Sequence, residues 1–289
     1  MTTRDLTFAG SAGTTLAGVL HVPDDEARGS ILLAHCFTCS KDLHTMTRLA
    51  RGLADAGYAV LRFDFTGLGD STGEFATTTV ANDVRDITAA TSALIERGYG
   101  PCGLLGHSLG GAASLLAAAR LHTVRSVVTI GAPSSPSHVR HLFEPAEDAG
   151  DDGSERGNSD DENAGDGDDS AGSGDRGGSD DGDDGRDEPG RATVPVVIGG
   201  RRFEVARAFL DDLDRHDQDG AVADLDRPLL VIHAVDDEVV DVSEGERIFA
   251  AARQPKAFHP LLGADHLLTD RAVAGRALHL ARDWFDTTL

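Results

Sequence analysis

Short apolar runs alternate along this chain with stretches whose apolar positions recur every three to four residues. Residues 4–22 alternate weakly between apolar and polar and predict a β-hairpin. Residues 30–35 (SILLAH) form a continuous apolar run, the pattern of a strand buried on both faces. Residues 44–56 carry helical spacing that Gly57 ends. Residues 58–64 (YAVLRFD) predict a strand, 78–97 a long amphipathic helix closed by Gly98, 102–106 a strand, 109–121 an Ala-rich helix and 125–130 a strand. The rhythm returns at 228–233 (PLLVIH), a strand, then helix 243–252, strand 256–262 and helix 271–286. Strand and helix in alternation imply parallel pairing through right-handed crossovers, hence an α/β fold with a mostly parallel central sheet flanked by helices.

Residues 144–190 interrupt that rhythm. They hold no Val, Ile, Leu, Phe or Tyr, so nothing there offsets the entropy of ordering, and a disordered acidic linker is expected. Its acidic residues do not fall at the spacing of a calcium loop. The segment splits one expected α/β domain into 1–143 and 191–289. Residues 193–215 (TVPVVIGGRRFEVARAFLDDLDR) read as ordered again: a tight hairpin around Gly199-Gly200, then a helix using Phe203, Ala206, Phe209, Leu210 and Leu213. Lying between two core strands, this piece is expected to form a small lid.

Charge adds to this picture. The formal net charge of −23 is concentrated in the linker, where 19 acidic and 3 basic residues give −16 and leave −7 for the body. Such a surface repels nucleic acid and anionic membranes, so neither is an expected partner. Only Lys41 and Lys256 are lysines, against 24 arginines, and aspartate is abundant; a salt-rich cytoplasm is one explanation, a GC-rich genome the other. The amino-terminal residues show no apolar leader and no stretch approaches the ~18 apolar residues of a membrane span, so a cytoplasmic location is expected. Three cysteines are too few for a disulfide framework.

The chemistry centres on Gly106-His107-Ser108-Leu109-Gly110, which leaves a predicted strand and opens a predicted helix. A serine on such a sharp turn is exposed at the helix amino terminus, where positive potential favours a developing oxyanion. A serine hydroxyl needs a base, and the base an orienting acid. After strand 228–233 come Asp236 and Asp237, either of which could orient; after the last strand comes His266, the expected base. His259 lies within that strand and His107 is expected to point away from Ser108, both structural. Backbone N–H groups of Leu109 and of Phe37, on the loop after strand 30–35, are the expected oxyanion donors. No metal or cofactor is implied.

These landmarks resemble the serine α/β-hydrolases of the serine aminopeptidase/lysophospholipase-like group: Ala34-His35, Phe63-Asp64-x-x-Gly67-x-Gly69-x-Ser71, the turn at Ser108, and the acid and histidine that follow. The family pattern His-Gly-x-x-Asp-x-Val, met here by His233 and Ala234, favours Asp237 over Asp236. Residues 34–42 (AHCFTCSKD), 61–69, 131–133 and 198–213 are similar to the hydrolase half of proteins that fuse it to an OsmC-like domain. The resemblance implies hydrolysis of a small acyl or peptide substrate, and a separately encoded OsmC-like partner becomes conceivable. A serine nucleophile argues against the dehalogenases and epoxide hydrolases of this fold, which use aspartate. Cys36 stands where the broader family has glycine and forms a Cys36-x-x-Cys39 pair. Packing in the turn is its favoured role, a redox role the alternative; no second Cys/His pair completes a zinc site.

Overall fold

The computed structural model describes residues 1–143, 193–198 and 201–289. The expected acidic linker at 144–190 and the Gly199-Gly200 turn lie outside the described residues. Eight strands form one sheet in the order β1-β2-β4-β3-β5-β6-β9-β10: β1 (Thr2–Ala9), β2 (Thr15–Val22), β3 (Ser30–Ala34), β4 (Ala59–Phe63), β5 (Cys102–His107), β6 (Val124–Ile130), β9 (Leu229–Ala234) and β10 (Lys256–Leu261). The β1–β2 hairpin is antiparallel and joins the sheet antiparallel to β4; from β4 to β10 all pairs are parallel.

Alternation along the strands separates two cores. On one face Leu32, Leu61, Phe63, Leu104, Val127 and Val231 pack with α2 (Val80–Glu96) and α3 (Leu109–Ala118). On the other, Ile31, Leu33, Val60, Leu105, Val128, Ile130 and Ile232 meet α1 (His44–Asp55) and α7 (Arg271–Thr288). Buried on both faces, the central strands read as continuous apolar runs. Thr79 caps α2 by accepting the Asn82 amide, and Asp270 caps α7 through the amides of Ala272 and Val273.

The segment between β6 and β9 departs from expectation. Phe203 and Ala206 belong to a strand, β8 (Arg201–Ala206), paired antiparallel with β7 (Thr193–Ile198); the helix is only α4 (Arg207–Leu213). Phe203 and Ala206 are compatible with helical spacing, but pairing with β7 decides the conformation, Val196 opposite Phe203 and Val194 opposite Val205. A short helix, α5 (Gln218–Ala223), follows; its six residues are too few to show a period. α6 (Val242–Ala251) lies between β9 and β10. No helix among the described residues is long and apolar enough to cross a membrane.

Candidate active site

Ser108 occupies the single residue between β5 and α3, with φ 54° and ψ −127°. That conformation costs a non-glycine residue about 1–3 kcal/mol. The surroundings enforce it. The Ser108 amide donates to the Ile130 carbonyl at 2.9 Å, and the Ser108 carbonyl accepts from the amides of Gly111 and Ala112. Glycine is required on both sides: a Cβ on Gly106 would lie 2.5 Å from the Gly110 carbonyl oxygen, and one on Gly110 would lie 2.2 Å from that of His35. The turn thereby presses α3 against the β3 loop.

The His266 Nδ1–H donates to Asp237 Oδ2 at 2.8 Å, which leaves Nε2 to accept the Ser108 hydroxyl at 3.0 Å. The three side chains expected from sequence are thus one hydrogen-bonded chain, drawn from the ends of β5, β9 and β10. Asp237 is the acid in contact; Asp236 is exposed. The second Asp237 oxygen accepts the amides of Val239 and Val240, each at 2.9 Å. Burial works against the Asp237 carboxylate, yet the His266 hydrogen bond and charge and the two amides outweigh it and hold its pKa below the usual carboxylate value.

Two further histidines, absent from the expected site or assigned only a structural part, grip this chain from behind. His107 is fully buried and its Nε2–H donates to the His266 carbonyl at 2.7 Å. Burial, then the neighbouring His266, lowers its pKa to about 3, so the ring is neutral. His233 donates from Nε2 to the Val240 carbonyl at 2.9 Å, at the carboxyl end of the loop that holds Asp237. Burial lowers the His233 pKa as well. His259 is an exposed residue of β10, away from the chain.

Phe37 and Leu109 line one small cavity of about 10 Å³, with His35, Phe65 and Gly110. Leu109 is the first residue of α3, so its amide has no carbonyl one turn back to accept it. The β3 loop is pinned from below. Lys41 is buried and its Nζ lies 2.8 Å from Asp64 Oδ2 and 2.6 Å from Asp70 Oδ2; its amide donates to Asp64 Oδ1 at 2.6 Å. Burial disfavours the ammonium, but the hydrogen bonds to Asp64 and Asp70 prevail and raise its pKa. Arg62 donates to the Lys41 carbonyl at 2.9 Å and pairs with Asp42. His35 donates from Nδ1 to the Cys36 carbonyl at 2.8 Å and accepts the Phe65 amide at Nε2. The Phe63-to-Ser71 motif is therefore scaffold for the loop. Its sequence signal was the Phe63-Asp64-x-x-Gly67-x-Gly69-x-Ser71 pattern, whose link to Lys41 the spacing does not carry.

Cys36 and Cys39 are joined as a disulfide, with Cα atoms 5.4 Å apart. The packing favoured from sequence gives way to a bond across Phe37 and Thr38, and Thr38 adopts φ 61°. Above it, Phe37 stacks on Phe209 of α4 at 4.9 Å and meets Phe75 at 5.1 Å. Among the described residues no group of three or more metal-ligating side chains occurs.

Residues 31–276 match the model of the alpha/beta hydrolase family. The chain belongs to that family. The esterase domain of a Rhodothermus marinus protein is 35% identical to it, with 98% of each chain covered and a TM-score of 0.72. Ferulic-acid-bound Est1E of Butyrivibrio proteoclasticus shares the fold at 16% identity, covering 98% of this chain and 99% of its own, with a TM-score of 0.74. A dienelactone hydrolase of Anabaena variabilis does so at 18% identity, covering 100% and 98%, with a TM-score of 0.64. No curated protein matches the chain. Family membership and these neighbours make this hydrolase a holder of the α/β-hydrolase fold throughout its described length.

Proposed function

We propose that this α/β-hydrolase is a serine hydrolase that cleaves an ester, with thioester and amide substrates as further members of the class. The observation that carries the proposal is the hydrogen-bonded chain from Ser108 Oγ through His266 to Asp237. Ser108 Oγ attacks the carbonyl carbon while His266 Nε2 takes its proton. Asp237 holds the Nδ1–H and stabilises the imidazolium. The oxyanion takes hydrogen bonds from the backbone N–H groups of Phe37 and Leu109. Collapse of the tetrahedral intermediate expels the alcohol, thiol or amine, which receives the proton from His266. Water then attacks the acyl-enzyme by the same route and frees Ser108. An ester preference is supported by the 35% identical Rhodothermus marinus esterase domain. The narrower likeness to the serine aminopeptidase/lysophospholipase-like group keeps peptide amines in the class.

The segment from β7 to α4 serves as the lid; its buried Phe209 packs on Phe37, and Phe37 and Phe75 line the small cavity beside Leu109. A fluorophosphonate probe tests the reading. It labels the wild-type protein, and Ser108→Ala loses both the label and hydrolysis of short acyl esters; an unlabelled wild-type protein overturns it.

The disulfide favours one second reading, a redox-linked accessory protein that uses Cys36 and Cys39 beside an OsmC-like partner. A protein inert to every acyl ester, thioester and aminopeptidase substrate, yet captured by such a partner, would establish it.

A further inference from the structure

The Cys36–Cys39 bond spans the residue whose backbone is proposed to hold the oxyanion. Four observations give it a part beyond packing. The two sulfurs differ in access: Cys36 is 4% exposed, whereas Cys39 is part-exposed. The bond closes a tight turn in which the Cys39 amide donates to the Cys36 carbonyl at 3.2 Å. Inside that turn Thr38 adopts φ 61°, a conformation that costs a threonine free energy. The flanks are anchored outside the turn, His35 by the Phe65 amide on one side, Lys41 by Asp64 and Asp70 on the other. The Lys41 and Phe65 contacts do not depend on the sulfur–sulfur bond.

We propose that Cys36–Cys39 is a thiol–disulfide exchange site, attacked at Cys39 by a dithiol reductant, whose opening displaces the Phe37 amide and switches hydrolysis off. The switch rests on the serine hydrolase reading for its effect on activity; the exchange chemistry does not. A thiolate of the dithiol attacks Cys39 Sγ, forming a mixed disulfide and expelling the Cys36 thiolate, which takes up a proton. The second thiol of the reductant attacks its own sulfur in the mixed disulfide and releases the Cys39 thiolate, which is protonated in turn. The protein gains two electrons and two protons, and the reductant leaves as a cyclic disulfide. In a cytoplasm, where such bonds are usually transient or sensing, this exchange is the ordinary fate of an accessible disulfide.

Dithiothreitol serves as the probe on the full chain. Maleimide tagging after a denaturing quench counts thiols: one tag, on Cys102, in the oxidised protein and three after reduction. The same samples are assayed for ester hydrolysis, fluorophosphonate labelling and far-ultraviolet circular dichroism. The expected result is a three-tag protein with an unchanged spectrum, kcat lowered about 10- to 100-fold and KM changed by less than about threefold, restored on reoxidation. The double substitution Cys36→Ser/Cys39→Ser reproduces the low kcat and is indifferent to dithiothreitol. Equal kcat in the one-tag and three-tag forms overturns the switch. Loss of the folded spectrum together with activity also overturns it, because the bond would then be a structural staple. No labelling in either state overturns the hydrolase reading and the switch with it, whereas labelling at equal rates in both overturns the switch alone.

Discussion

At the scale of single residues the site separates groups that touch the reacting atoms from groups that hold them. Asp237 touches only the His266 ring and two amides. Asp237→Asn keeps the shape but lets the imidazole take the wrong tautomer, and kcat for an ester is expected to fall about 10³- to 10⁴-fold. Asp236→Asn, on an exposed side chain, changes kcat by less than about twofold; a loss matching that of Asp237→Asn would transfer the orienting role. His107 acts one step further out, through the His266 carbonyl. Its pKa of about 3 lies below the ordinary histidine value near 6.5. The unfolded chain therefore binds a proton that the folded one refuses. The stability tied to His107 is full above about pH 6.5 and declines at up to about 1.4 kcal/mol per pH unit as pH falls towards 3. Urea unfolding midpoints at a series of pH values check this, and His107→Gln should flatten that slope. An unchanged slope in the variant would assign the acid sensitivity elsewhere, to His21, His35 or His233, whose pKa values burial also lowers.

At the scale of elements, three strand ends are brought to one point because β5, β6 and β9 are parallel neighbours and β10 extends the row. The serine, acid and histidine follow their strands at the same edge of the sheet, so chain order becomes spatial adjacency. This much of the site was legible from motif and order: Ser108 by its glycine-rich turn, His266 by its place after the last strand. The support beneath the β3 loop was not. Lys41 lies 23 residues from Asp64 and 29 from Asp70, and an isolated lysine carries no period. Asp64 is fully buried, so Lys41→Met strips a buried carboxylate of its main partner. Loss of about 3–5 kcal/mol of unfolding free energy is expected in denaturant titrations. A shift under about 1 kcal/mol would mean that the backbone amides of residues 41 and 70 alone satisfy Asp64. The β7–β8 pair shows the converse failure, since Phe203 and Ala206 suit either a helix or a strand until a partner strand is present.

At the scale of the whole molecule, the balance of charge is the dominant feature. The net charge of −23, with 24 arginines and 2 lysines, fits a protein kept soluble in concentrated salt. On that reading the thermal midpoint rises as potassium chloride is raised from dilute buffer to molar concentration, because salt screens the repulsion among carboxylates. A midpoint that is already maximal in dilute buffer would leave base composition of the genome as the source of the bias. Deleting 144–190 removes a net −16 of that charge and should weaken the salt response if the segment contributes to the repulsion.

The sequence by itself determined the alternating strands and helices, the strand-to-helix turn at Ser108 and the chain order of the aspartate and histidine after it, because each is encoded in local spacing or in steric demands on a few neighbouring residues. The family pattern already favoured Asp237; only the tertiary structure decided that His107 and His233 brace His266 and the Asp237 loop, that Lys41 clamps the β3 loop through Asp64, and that Cys36 and Cys39 are bonded across Phe37. Most of these are contacts between residues distant in the chain. Their energies depend on burial and direction, which a linear pattern does not contain.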